Sequence, residues 1–190
     1  MSKTLNKAED LFTIIPPESL VSNDKFLQMV IYSRTVDLTL NVMYVVCKAR
    51  GNPSNINIGN SDCIQHYHSI TVEKDKVQQA KEYGEGKFSI LSCSPALELG
   101  QNQNQVKLIV IMGAMDPSIS YQLSGKAGCD GHSGLIVYFV RCKMPKSPNN
   151  ASEIVTTLMT NQDQMHVFRL TSCCLRVAYA VNTLKNKKGN

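Results

Sequence analysis

His66 and His68 lie two residues apart in Ile64-Gln65-His66-Tyr67-His68, and on an extended strand that spacing turns both imidazoles to one face. Two imidazoles on one face are a workable start for a zinc site, because zinc takes nitrogen and sulfur donors in a tetrahedral shell. Cys63 and the run Cys129-Asp130-Gly131-His132 contain the donor types that would complete it. The same spacing counts against the site: Cys63 is an odd number of residues from His66 and would face the other way, and no paired Cys-x-x-Cys motifs occur. Structural or surface histidines are the simpler reading, so no metal ligand and no cofactor is assigned.

Ser124 to Gly134 (Ser-Gly-Lys-Ala-Gly-Cys-Asp-Gly-His-Ser-Gly) is the most glycine-dense stretch. It is not a phosphate-binding P-loop, since no glycine lies five residues before Gly125 and Ala127 stands where magnesium needs Ser or Thr. It is not a nucleophile elbow either, because Leu135 replaces the second glycine and an apolar, strand-like run follows. Gly131-His132-Ser133-Gly134 does resemble the G-x-S-G segment of chymotrypsin-like serine proteases. That resemblance implies Ser133 as nucleophile, nearby backbone amides as oxyanion donors, and His66 or His68 as base. Asp116 is the available orienting acid, 17 residues before Ser133, but no downstream substrate-pocket pattern follows. The reading stays an alternative, and no catalytic residue is assigned.

The chain has 190 residues and a formal charge of +5, with 43% hydrophobic and 18% charged residues. That apolar fraction excludes wholesale disorder, and the length suits one domain. All fifteen acidic residues precede residue 164, and Arg169, Arg176, Lys185, Lys187 and Lys188 follow it without a carboxylate. The net charge therefore belongs to the last 27 residues. A basic end of this kind attracts nucleic acid or an anionic membrane surface, or simply aids solubility. These five residues are the expected partner-binding surface.

No run of about 18 apolar residues suggests a spanning helix, and the first ten residues lack a signal-peptide core. A cytoplasmic or nuclear location is expected. Seven cysteines without a secretory signal then read as buried hydrophobes rather than a disulfide framework.

Residues 1–10 are polar and read as a flexible tail, with a single globular domain over 11–190. Leu11–Ile15, stopped by Pro16-Pro17, and Phe26–Tyr32 read as strands, although Asn23-Asp24 could cap a short helix. From Val36 to Cys47 apolar side chains alternate in steps of two, the clearest strand pattern in the chain. Ile64 to Val72 alternates again, and Glu73–Tyr83, stopped by Gly84, reads as a surface helix. Phe88–Cys93, Val106–Met112 and Leu135–Arg141 are further strands, with Gln101–Gln105 a loop. Val167, Leu170, Cys174, Val177, Val181 and Leu184 recur at helical spacing and predict a C-terminal helix. Many strands with few helices give an α+β expectation: one compact domain, a mainly antiparallel sheet and a C-terminal helix.

Asp24-Lys25-Phe26-Leu27-Gln28-Met29-Val30-Ile31-Tyr32, with the chain size and the polar start, is similar to the first strand of rhabdovirus matrix proteins. That resemblance implies a non-enzymatic viral structural or accessory protein that self-associates and binds nucleoprotein, RNA or anionic membrane. A zinc-stabilised nucleic-acid-binding suppressor is the remaining alternative.

Overall fold

The computed structural model describes residues 7–54, 61–94, 105–113, 115–129, 131–140, 150, 153, 160–171 and 177–180. Five strands, β1 (Met29–Ser33), β2 (Ile64–Tyr67), β3 (Ile90–Cys93), β4 (Leu108–Met112) and β5 (Leu135–Phe139), form one sheet in the order β2-β3-β1-β4-β5. Every neighbouring pair is parallel. Helices α1 (Val36–Ala49), α2 (Glu73–Gly84) and α3 (Pro117–Ser124) alternate with the strands, and α4 (Asn161–Leu170) follows. The fold is α/β, which corrects the expected α+β class with a mainly antiparallel sheet.

Strands β1, β3 and β4 are buried on both faces, as the interior of a parallel sheet requires, whereas the edge strand β5 is only partly covered. Leu-Ile-Val-Ile-Met of β4 and Met-Val-Ile-Tyr-Ser of β1 are buried at every position. The connections cover the two faces in the manner of right-handed crossovers. From β1 the chain moves outward to β2 through α1, whose Val42, Val46 and Cys47 pack with Met29, Ile31, Ile64 and Ile90 on one face. The steps β2 to β3 and β4 to β5 run the opposite way. Tyr83 of α2 and Leu123 of α3 accordingly pack with Val30, Tyr32, Leu91 and Ile109 on the other face.

The main correction lies at α1. Val36 to Cys47 is a helix, not the strand its alternation suggests, and the Thr35 hydroxyl caps it by accepting the Leu38 amide at 3.2 Å. Its buried residues are Thr39, Val42, Met43, Val45, Val46 and Cys47, and Thr39, Val42, Met43, Val46 and Cys47 recur among them at steps of three and four. Leu40 and Tyr44, members of the apparent alternation, are turned outward. Near the N-terminus, Glu9–Thr13 forms a 3-10 helix in place of the expected strand, and Phe26 precedes β1. At the C-terminal end a Thr160–Asp163 capping box starts α4. Thr171 leaves helical backbone, so the expected stripe is not one continuous helix. Residues 177–180 are helical again, while Cys174, Val181 and Leu184 lie outside the described residues.

Arg50 anchors the opposite end of α1. It is 3% exposed and donates to the Pro16 carbonyl at 2.9 Å and to the Val21 carbonyl and Asn23 Oδ1 at 2.6 Å. Its guanidinium also lies 4.9 Å from the centre of the Phe26 ring. One buried cation thereby fastens the segment leading into β1 onto the end of α1. Among the described residues no helix is long and apolar enough to cross a membrane.

Candidate functional site

In a parallel sheet of this kind ligands sit at the carboxyl ends of the strands, where successive connections leave in opposite directions. The chain leaves β1 toward β2 and leaves β4 toward β5, so that place is the carboxyl end of β1 and its neighbours. Ser33 ends β1 and is followed by exposed Arg34 and Thr35, then by the first turn of α1. The strand registers put Ser33 opposite Met112 and, one step past the Tyr32–Cys93 pair, beside Ser94. The Ser94 amide bonds the Tyr67 carbonyl at 3.1 Å, which brings His68 alongside. His68, Ser94 and Ser33 thus form a polar row across three strands, about 10 Å long at the usual strand spacing. By strand alternation the row lies on the α1 face, together with His66 and Ser92.

Two of these hydroxyls are orphaned. Ser33 is 0% exposed and Ser94 6%, and neither Oγ has a hydrogen-bond partner among the described residues. An unmade bond of this kind costs about 1–3 kcal/mol, so a polar ligand that displaces the cover over these hydroxyls gains hydrogen bonds that the fold itself leaves unmade. Ser92, by contrast, is satisfied: its hydroxyl donates to the Thr39 carbonyl at 3.0 Å and holds the first turns of α1 over the row. The amides of Val36 and Asp37 have no acceptor within the helix, and the helix dipole makes this end attractive to anions. Arg34 adds a full positive charge, and Asp37, also exposed, opposes it from the first turn. The arrangement suits an anionic oxygen ligand approaching the carboxyl edge of the sheet.

The two histidines are stacked, with ring centres 4.8 Å apart and planes 25° from parallel. Burial lowers the pKa of His66, and the neighbouring His68 lowers it further. Burial also lowers that of His68; a backbone hydrogen bond opposes this and Lys76 reinforces it. His68 Nδ1 lies 3.3 Å from Thr71 Oγ1.

The other residues singled out by type and spacing do not converge. Cys63 is buried beside Arg50, and burial pushes its thiol pKa up to about 11 against the opposing pull of that guanidinium. Cys129 is exposed in the glycine-rich turn after α3, its thiol donating to the Gly125 carbonyl at 3.0 Å. Gly128 bonds Val106 there, so the turn sits at the amino ends of the strands, away from the polar row. No group of three or more metal-binding side chains occurs among the described residues. Ser133 precedes β5 at one edge of the sheet, whereas His66 belongs to β2 at the other. Four strand spacings, roughly 19 Å, separate those edges, so no Ser–His pair forms. Asp116 instead caps α3 through the Ser118 amide at 2.8 Å and accepts Asn161 Nδ2 at 2.7 Å. Its hydrogen bond from the Ser118 amide leads the causes that hold its carboxyl below the usual range.

Of the basic C-terminal residues, Arg169 is on α4 with Nη2 3.4 Å from His166 Nδ1. Arg176, Lys185, Lys187 and Lys188 lie outside the described residues. The residues the composition and motifs did not single out are Ser33, Arg34, Thr35, Ser92 and Ser94. A local signal existed for three of them: Ser-Arg-Thr follows an apolar run, and threonine is a preferred helix cap.

No family model and no curated protein matches the sequence. Solved structures do match the fold, and they are RecA-like helicase domains. Domain 2 of the DEAD-box helicase Mss116p, bound to an RNA duplex, superposes with a TM-score of 0.55 at 13% identity, over 73% of this chain and 50% of that one. The E. coli DEAD-box protein SrmB, bound to regulator of ribonuclease activity A, gives 0.52 at 14% identity, over 72% and 71%. The helicase MrfA bound to DNA gives 0.55 at 18% identity, over 72% of this chain but 18% of that one. The chain therefore spans less than a fifth of MrfA. These likenesses place the fold as RecA-like α/β. They overturn the rhabdovirus matrix resemblance and the viral structural role drawn from it, since the all-parallel sheet belongs with the helicase domains. The protease and zinc-suppressor alternatives fall as well, their residues lying apart.

Proposed function

We propose that this chain is a nucleic-acid-binding RecA-like module of the helicase type, holding the sugar-phosphate backbone at the carboxyl ends of β1 and β3. The observation that carries the reading is the pair of buried, unpartnered hydroxyls of Ser33 and Ser94 under the amino end of α1. Ser33, Ser94 and the Val36 and Asp37 amides donate to phosphate oxygens, and Arg34 supplies charge. Helicase domains of this fold bound to RNA or DNA support the choice of ligand. Backbone contacts of this kind position a strand without reading its bases. The basic C-terminal residues Arg169, Arg176, Lys185, Lys187 and Lys188 add counter-charge to the same partner.

The reading is one of binding and not of nucleotide hydrolysis by this chain alone. Neither Gly-Lys pair in its sequence, at Gly86 and Gly125, is followed by Ser or Thr within a Gly-x-x-x-x-Gly-Lys-Ser/Thr loop.

The test is equilibrium binding of a fluorescein-labelled single-stranded RNA across a salt series. Arg34→Ala with Ser94→Ala weakens binding about tenfold or more, and loss of the Arg34 contact lowers the salt slope by about 0.7. Unchanged affinity and slope in that double variant refute the reading.

A further inference from the structure

We infer that His66 and His68 form a proton-accepting pair that couples phosphate binding at this crevice to proton uptake, so that the strand is held more tightly at mildly acid pH. The inference rests on the phosphate-binding reading above and adds its regulation.

The geometry carries it. The imidazoles stack at 4.8 Å, His66 on β2 and His68 directly after it, on the same sheet face as Ser92, Ser94 and Ser33, and His68 is the next side chain in the row after Ser94. From α2, the Lys76 ammonium is the charge that acts on His68, itself 3.1 Å from the Glu73 carboxylate. Strand β3 contributes no charged residue. On α1, Asp37 is exposed and Lys48 lies at the far end, 6.0 Å from the Phe12 ring centre. Burial thus disfavours a charge on both rings, and Lys76 disfavours one on His68 as well. A phosphate beside Ser94 reverses that balance, because an opposite charge within about 4–6 Å favours imidazolium. The proton comes from solvent and rests on a ring nitrogen of the pair. By linkage, the anion that favours the proton is itself bound more tightly as pH falls.

The experiment measures the affinity of the full chain for fluorescein-labelled oligouridylate from pH 8 to pH 5.5 at fixed ionic strength. Wild type binds about tenfold more tightly at the acid end, as one proton with a displaced pKa requires. His68→Gln flattens the dependence, and His132→Gln with His166→Gln retains it. A dependence that survives in the His66→Gln/His68→Gln double variant overturns the inference. Binding with no pH dependence in wild type overturns it alone, and no binding at any pH overturns the phosphate reading with it. A second measurement needs no variant: in imidazole NMR titrations of wild type, the His68 pKa rises on addition of oligouridylate. A pKa that stays in place contradicts the coupling.

Discussion

The Ser92 hydroxyl of β3 donates to the Thr39 main-chain carbonyl of α1 at 3.0 Å, both residues being fully buried. That bond joins a strand to a helix 53 residues away in sequence and sets the amino end of α1 over the carboxyl ends of β1 and β3. Ser92→Ala removes the donor and leaves the carbonyl with its helical partner, so the loss is about 1 kcal/mol. Urea unfolding checks the stability. RNA affinity falls with it if the placement of α1 matters to the site.

Arg50 holds two carbonyls and the Asn23 side-chain oxygen at once. Arg50→Met keeps much of the stem but strands three acceptors, and a loss of about 3 kcal/mol is expected from charge-assisted bonds of this kind. The same urea experiment reads it. A loss under 1 kcal/mol would mean that the segment from Pro16 to Phe26 is held by other contacts.

The stability of the free chain depends on pH through the stacked histidines. Both have folded-state pKa values below the ordinary value of about 6.5, chiefly through burial. In that window the unfolded chain takes up protons before the folded one, so this contribution is fully present above about pH 6.5. It is lost as pH falls below that toward the folded-state values. The urea midpoint therefore drops between pH 7.5 and pH 5.5, and the drop is smaller in His66→Gln/His68→Gln. An identical drop in the variant contradicts the assignment.

In the turn after α3, Gly128 and Gly131 differ in what an added side chain would meet. At Gly128, with φ of +73°, an added Cβ would lie 2.3 Å from the His132 carbonyl oxygen, a backbone atom that cannot move aside cheaply. Gly131, with φ of +85°, has nothing within 4 Å of that position. Gly128→Ala is expected to cost about 3 kcal/mol through clash plus strain, and Gly131→Ala about 1 kcal/mol through strain alone. Thermal unfolding of the two variants side by side measures the contrast.

The sequence shows the strands more readily than the way they are joined. Ile90–Cys93, Leu108–Met112 and Leu135–Phe139 are apolar runs long enough for one strand each, and they lie within the predicted segments. The α2 helix was equally legible from Glu73 to its glycine stop. At α1 the residues Val42 and Val46 satisfy a period of two and a period of 3.6 together. The deciding sign was the Thr35 cap rather than the hydrophobic pattern. Reading that segment as a strand hid the strand–helix–strand alternation, and with it the parallel direction of the sheet. Helix α3 has few strongly apolar residues, and its start is marked only by Asp116-Pro117, a cap followed by a first-turn proline. The polar row was less legible still. Ser33, His68 and Ser94 lie at the carboxyl ends of three strands, and only the order β2-β3-β1 makes them neighbours. The glycine-rich turn stands out by composition, but Gly128 and Gly134 there serve close backbone approach.

The most direct test of the central claim is an amide chemical-shift map of the isotopically labelled chain with and without single-stranded RNA. The account predicts the largest changes at Ser33 to Asp37, with further changes at His68 and Ser94. Changes confined to Gly125–Gly134 or to the segment around Arg169, with Ser33 to Asp37 unmoved, would contradict it.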